Sequence, residues 1–242
     1  MSKTIGGIEN CPQCSSLMGE HNCLSCGWVA PRESEETIQF QIEDTLSVGE
    51  ADYAVTKVHE SGKDAVRLIA KASDDSIVEI VVSTEKERVE HRKRLHIAHP
   101  KFFPALLHGE KNGAYWMAVF ELGSSGSTLV SELATARSQR AINDCADLCE
   151  TIVLPVVRML MALHEEGFAL TVHNASEVWL KEDGQVLLLD CPLQAHDESL
   201  EAYRVMPSFS PPEAYGRCGG SLGPKADVFF VGMILYHLSL IH

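Results

Sequence analysis

Four cysteines in two close pairs form the clearest chemical site in this chain: Cys11-Pro-Gln-Cys14 and, eight residues later, Cys23-Leu-Ser-Cys26. Each CxxC pair makes a tight knuckle that points two thiolates at one ion, and two knuckles close a tetrahedral S4 site. Zinc suits four soft thiolates in a closed shell, where no position stays open for catalysis. Iron held by the same four thiolates is the alternative metal, and disulfides are the non-metal alternative. The N-terminus MSKTIGGIEN has no apolar h-region, so the thiols are expected in a reducing, cytoplasmic compartment where disulfides are rare. The neighbourhood is acidic, with Glu9, Glu20, Glu33, Glu35 and Glu36 against Lys3 and Arg32, which favours a protein partner over DNA.

A segment of about thirty residues cannot bury a useful core, so residues 1–29 are expected to be a small zinc ribbon whose metal supplies most of its folding free energy. Residues 30–40, including APRESEET over Ala30–Thr37, form a charged, solvated linker. Beyond it, Ile42–Val48, Tyr53–His59 and Ala65–Ala72 alternate as three strands, with Ser61-Gly62-Lys63 as a hairpin turn. Tyr115–Leu122 is a further strand. Val178–Leu180 and Val186–Leu189 are two short ones joined at Asp183-Gly184. The helical stretch Ala141–Thr151 carries Cys145 and Cys149 on one face, a pair that cannot close a metal site alone. With Cys191 and Cys218, which follow no ligand spacing, they are expected to be small buried or half-buried structural side chains. The basic run Arg88, Arg92, Lys93, Arg94 is expected to be a solvated helix face, with a phosphate patch as the alternative. Val228–Ile241 is apolar on all sides and predicts a helix buried through a core. A membrane span is the competing reading, but the run is short for a bilayer and carries His237.

Composition sets broad limits. The chain has 242 residues, 45% of them hydrophobic and 22% charged, as expected of a soluble protein with one large and one small domain. A net charge of −14 argues against broad nucleic-acid or anionic-membrane binding.

The stretch Leu163–Pro192, LHEEGFALTVHNASEVWLKEDGQVLLLDCP, resembles the catalytic core of a protein kinase, LHxxGIxHRDLKPxNILLxxxGxxxLxDFG. Leu163, His164 and Gly167 match its LHxxG helix end, and Asp190 falls on the metal-binding DFG aspartate. Elsewhere His99-Pro100 matches the HPN element, Pro211-Pro212-Glu213 stands for APE, and Asp227–Gly232 matches DxWxxG. On these motifs the chain is identified as a member of the protein kinase-like superfamily, similar to bacterial eukaryotic-like Ser/Thr kinases, over nearly everything after residue 40. The resemblance implies an α+β, bilobal fold behind the zinc ribbon. Residues 41–122 would be a β-rich N-lobe and hinge, and residues 123–242 a partial helical C-lobe. That C-lobe stops after its central helix, as in a truncated product or fragment, or one whose open face another chain covers.

The same comparison locates the missing chemistry. The HRD triplet reads Leu170-Thr171-Val172, so Val172 replaces the aspartate that accepts the substrate hydroxyl proton. Asn174 replaces the loop lysine, Glu177 the metal-binding asparagine, and Cys191-Pro192 the Phe-Gly of DFG. His173, beside the missing aspartate, is expected to be buried and structural. In the glycine-rich loop position, Leu46–Asp52, only Gly49 remains, with Glu50 and Asp52 repelling phosphate. The nucleotide-gripping lysine would be Lys71 paired with Glu90. Arg67 or Leu68 compete for the first position in a different register, and Glu87 for the second. Gly49, Lys71, Glu90 and Asp190 are therefore the candidate nucleotide residues, with no catalytic residue assigned. The expected function is a pseudokinase: a regulatory or scaffold module that binds protein, with structural zinc and with Mg-ATP in doubt. The alternative is an atypical ATP-binding Ser/Thr kinase of weak activity.

Overall fold

Two largely apolar runs that each carry a charge at their third position, AVRLIAK and IVEIVVS, make the centre of the sheet as strands β3 (Ala65–Lys71) and β4 (Ile77–Ser83). The structure is a computed structural model and describes residues 40–61, 64–138, 145–195, 209–215 and 223–239. The chain divides into two compact units, Met1–Ile38 and Gln39–His242. Every described residue belongs to the second. Cys11, Cys14, Cys23 and Cys26, and Cys218, lie outside the described residues.

The second unit is mixed α+β. Strand β1 (Thr45–Val48) and strand β2 (Ala51–Ser61) precede the central pair. Helix α1 (Lys86–Ala98), strand β5 (Leu106–Asn112) and strand β6 (Tyr115–Gly123) follow it. The six strands are antiparallel in the order β1-β2-β3-β4-β6-β5. The sheet curls into a half-barrel, far enough for Tyr53 on β2 to hydrogen-bond His108 on β5 near the opposite edge.

Side chains alternate across this sheet, and both sides are covered. One face carries Val66, Leu68 and Ala70 with Val78, Ile80, Val82, Met117 and Val119, all buried. The other carries Arg67, Ile69, Glu79, Val81, Ala118 and Phe120. Val89 of α1 packs on Val81, Ala118 and Phe120, and Trp179, Leu187 and Leu189 pack on Ile69. A strand buried on both sides reads as a continuous apolar run rather than an alternation. That is why β4 escaped the three-strand expectation. The first of those three strands also begins later than expected, at Thr45, because Glu43 adopts φ +79°.

The second half of the unit starts with the short strand β7 (Ser127–Thr128) and helix α2 (Leu129–Ser138). Helix α3 (Cys145–Leu148) runs through a wide π turn at Cys149–Val153 into α4 (Leu154–Glu165). Pro155 has no N–H for the helical ladder, and the widened turn leads up to it. Strand β8 (Phe168–Leu170) pairs with β11 (Leu193–Ala195). Strand β9 (Val178–Leu180) pairs with β10 (Val186–Leu188) across the Asp183-Gly184 turn, where Gly184 takes φ +82°. Helix α5 (Pro224–Ser239) packs on this half through Phe230, Ile234 and Leu238. It buries a single stripe, contrary to the expectation of burial all round: Val228 is 68% exposed and Tyr236 54%. Among the described residues no helix is long and apolar enough to cross a membrane.

Candidate functional site

The two charges embedded in β3 and β4 meet at the junction between the sheet and the second half. Arg67 donates from Nε and Nη2 to Glu79 Oε1 at 2.8 and 2.6 Å. Its Nη1 reaches Glu177 Oε1 at 2.9 Å, on the short 3₁₀ turn Ala175–Glu177 ahead of β9. Glu79 Oε2 accepts from Nη2 of Arg92, which points inward from α1. Glu79 is fully buried, while Arg67, Arg92 and Glu177 are 1%, 3% and 4% exposed.

Asp190 completes the cluster more loosely. Its carboxylate lies 3.7 Å from Arg92 Nη1 and 3.9 Å from both Arg67 Nη1 and Arg88 Nη2. His59 Nε2 is 4.0 Å from Glu177 Oε2. Three guanidiniums thus face three carboxylates, and the cluster is neutral without help from solvent. Burial alone would push the Glu79 carboxyl up, but Arg67 and Arg92 outweigh it and hold it at about 2. Burial lowers the basicity of Arg67, yet Glu79, Glu177 and Asp190 more than restore it. Glu177 goes the other way: burial raises its pKa and Arg67 offsets this only in part. The Arg92 ring-face contact, with Cζ 5.1 Å from the Phe120 centroid, fixes the guanidinium from its other side.

A second polar knot ties the loop after β8 to α5. Asp227 is fully buried, with Oδ2 2.7 Å from His164 Nε2 and Oδ1 2.7 Å from His173 Nε2. A carboxylate only accepts, so both rings present Nε2–H to it. The Leu170 N–H adds a third bond at 3.3 Å. His173 is therefore committed to α5, and Val172 beside it is buried in the apolar core. The segment after Asp190 is fastened to the same loop. Thr171 donates from its N–H and Oγ1 to the Pro192 carbonyl at 3.2 and 2.6 Å, and Cys191 Sγ donates to the Val172 carbonyl at 3.2 Å. Burial pushes the Cys191 thiol far above its ordinary range, so it behaves as an inert core side chain. Cys149 is half-buried as expected, but Cys145 is exposed, contrary to the expectation of a buried or half-buried side chain.

The structure does not gather the four candidate nucleotide residues into one site. Gly49 lies in the two-residue turn between β1 and β2 with φ +64°, the left-handed conformation that such a turn requires. Lys71 is at the open end of β3, 3.8 Å from Asp75, and Glu90 pairs with Lys93 at 3.1 Å. The Lys71–Glu90 pair is not formed. Glu87 pairs with Arg94 instead. Only Asp190 sits in the buried cluster, and the β3 side chain facing it is Arg67, the competing register. The reading of Arg88–Arg94 as a solvated face holds for Arg94 and fails for Arg92, which is buried.

Glu79 escaped the sequence reading altogether, and Arg92 was read only as part of a solvated face. The signal for Glu79 was available, because two largely apolar seven-residue runs each carry a charge at their third position, Arg67 in one and Glu79 of opposite sign in the other. A charge placed there must find a buried partner.

Whether magnesium could sit between the two loop carboxylates is decided by Arg67. Its Nη1 stands 2.8 Å from Glu177 Oε2 and 3.9 Å from Asp190 Oδ2, so a fixed cation already occupies the space between them. These residues do not fit a divalent metal. Comparison with protein-family models finds no match for the chain, and comparison with curated proteins finds none.

Proposed function

We propose that the chain is a pseudokinase of the protein kinase-like superfamily, a regulatory or scaffold module that binds another protein and transfers little or no phosphate. The observation that carries this reading is the Arg67 guanidinium between Glu177 and Asp190, the two positions where the resemblance would place metal ligands. A kinase uses such ligands to hold magnesium against the nucleotide phosphates. Here an internal cation satisfies them. Val172, at the position of the catalytic base, has no lone pair and lies in the core. The tether of Thr171 and Cys191 to the neighbouring carbonyls supports a loop that does not switch. The ribbon at residues 1–29, with structural zinc on Cys11, Cys14, Cys23 and Cys26, belongs to the same proposal as a second protein-binding element.

Thermal unfolding of the zinc-loaded full chain with and without Mg-ATP tests it. A ligand at a hundredfold its Kd stabilises by about 2.7 kcal/mol, which is easily read as a shift in Tm. The expected result is no magnesium-dependent shift and no phosphate transfer to the chain or to a general protein substrate. A magnesium-dependent rise that disappears in Asp190→Ala, or phosphorylation by the pure protein, would overturn it in favour of a weak atypical Ser/Thr kinase.

A further inference from the structure

Helix α5 turns one stripe inward, Phe230, Ile234 and Leu238, and a second stripe outward. The outward stripe runs from Lys225 through Val228, Phe229, Gly232, Leu235 and Tyr236 to Ser239, every one of them exposed. Its four large apolar side chains leave roughly 400 Å² of apolar surface open, the size at which a patch on a folded chain marks an interaction site. From Val228 to Ser239 the helix has no Asp, Glu, Lys or Arg, in a chain of net charge −14.

The order of residues within the stripe says what covers it. Gly232 stands at the centre, with Phe229 and Leu235 three residues to either side, Val228 and Tyr236 four, and Lys225 and Ser239 seven. A twofold axis at Gly232 lays the stripe antiparallel on its own copy, with each residue opposite its mirror position. The bulky Tyr236 then faces the smaller Val228, and Phe229 faces Leu235. Gly232 meets its own copy, and a Cβ added there would find nothing within 4 Å in its own chain, so the space in front of it is open to a partner backbone. Glycine in an exposed helix interior otherwise costs stability relative to alanine.

The ends of the stripe match as well. Lys225, its one charged residue, falls beside Ser239 at the C-terminal end of the partner helix, where the helix dipole is negative. A parallel pairing would instead set one Lys225 against the other. Two copies carrying −14 each repel at long range, so self-pairing needs an uncharged face, and this stripe supplies one.

We propose that the chain pairs with a second copy of itself through the outward stripe of α5, antiparallel about Gly232. The two patches together cover roughly 800 Å² of apolar surface inside a polar rim, the low end for specific association, and the dimer is expected to be weak. This inference goes beyond the pseudokinase reading and does not depend on it, since it uses none of the buried ion-cluster residues.

The test is sedimentation velocity of the zinc-loaded full chain across about 1–200 µM, a range that brackets a micromolar Kd. A reversible monomer–dimer transition is expected. Val228→Glu and Tyr236→Lys are each expected to raise the Kd at least about tenfold, by placing a charge inside the apolar contact. Their equimolar mixture is expected to recover most of the dimer, because the twofold brings the introduced carboxylate against the introduced ammonium. Gly232→Leu is expected to abolish pairing while raising the Tm of the dilute monomer, since leucine is the better helix former. Thermal unfolding of all three variants confirms that they fold. A chain that stays monomeric throughout would overturn the proposal, as would a dimer that Val228→Glu and Gly232→Leu leave intact. A mixture no better associated than its components, or open-ended aggregation in place of a closed dimer, would overturn it too.

Discussion

Replacing Glu79 by Gln tests the buried cluster most directly, because it keeps the shape and removes one charge. In the native protein each Glu79 oxygen serves a different arginine, Oε1 for Arg67 and Oε2 for Arg92. The variant leaves two buried guanidiniums facing Glu177 and the more distant Asp190. Two independent routes give the cost. Removing one partner of a buried ion pair destabilises by about 3–5 kcal/mol. The fall of the Glu79 pKa from its ordinary 4.5 to about 2 corresponds to about 3 kcal/mol of stability. The agreement of the two fixes the expectation at about 3 kcal/mol near neutral pH. The sign with pH follows from the depressed value. This contribution is complete above the unfolded pKa of about 4.5 and is lost as pH falls towards about 2. Urea unfolding of parent and variant from pH 7 down to pH 2.5 reads both quantities. The two stability curves should lie about 3 kcal/mol apart at pH 7 and converge in acid. A gap below about 1 kcal/mol at pH 7, or parallel curves across the acid range, would refute the electrostatic reasoning.

Glu177→Gln should be far milder, within about 1 kcal/mol at pH 7, because burial raises the Glu177 pKa and its charge already costs stability there; the same urea series measures it. Gly126→Ala should destabilise by about 2 kcal/mol in thermal unfolding, since φ is +141° and the new Cβ would lie 2.5 Å from the Leu180 carbonyl oxygen. Treating the full chain with a thiol-modifying reagent and a metallochromic dye should release one zinc ion per chain, and Cys11→Ser should abolish that release.

Much of the second half was legible because its signals are local. The Asp183-Gly184 turn, the short strands on either side of it and the commitment of Asp227 to a helix all follow from neighbouring residues. The first half was harder to read. Strand β4 is buried on both faces, so the alternation that identifies a strand is absent there, and it went unseen. Lys71 stands at the open end of β3, and the β3 side chain that meets Asp190 is Arg67. Which of the two enters the cluster depends on how the strand pairs with β4, where Arg67 lies opposite Val81 and Ile69 opposite Glu79. Register of that kind is a tertiary property, and spacing along the chain carries little of it. Asp190 follows its own strand directly, which leaves little freedom in its placement.

The composition of the cluster bears on why a metal and this arrangement exclude each other. Three fixed guanidiniums balance three carboxylates, and four of these six groups are almost fully buried. Adding a divalent cation beside Asp190 and Glu177 would leave two uncompensated positive charges within a few ångströms of Arg67. Even at an effective dielectric of 20, a divalent ion about 4 Å from a guanidinium is repelled by roughly 8 kcal/mol. Relief would require Arg67 to leave, and that would unpair Glu79 from one of its two arginines inside the sheet. Metal binding is thereby opposed through the fold itself rather than through a missing ligand alone. Under the proposed pseudokinase reading, Val172→Asp alone would leave that opposition in place. Metal-dependent nucleotide binding should on that reading require a change at Arg67 first.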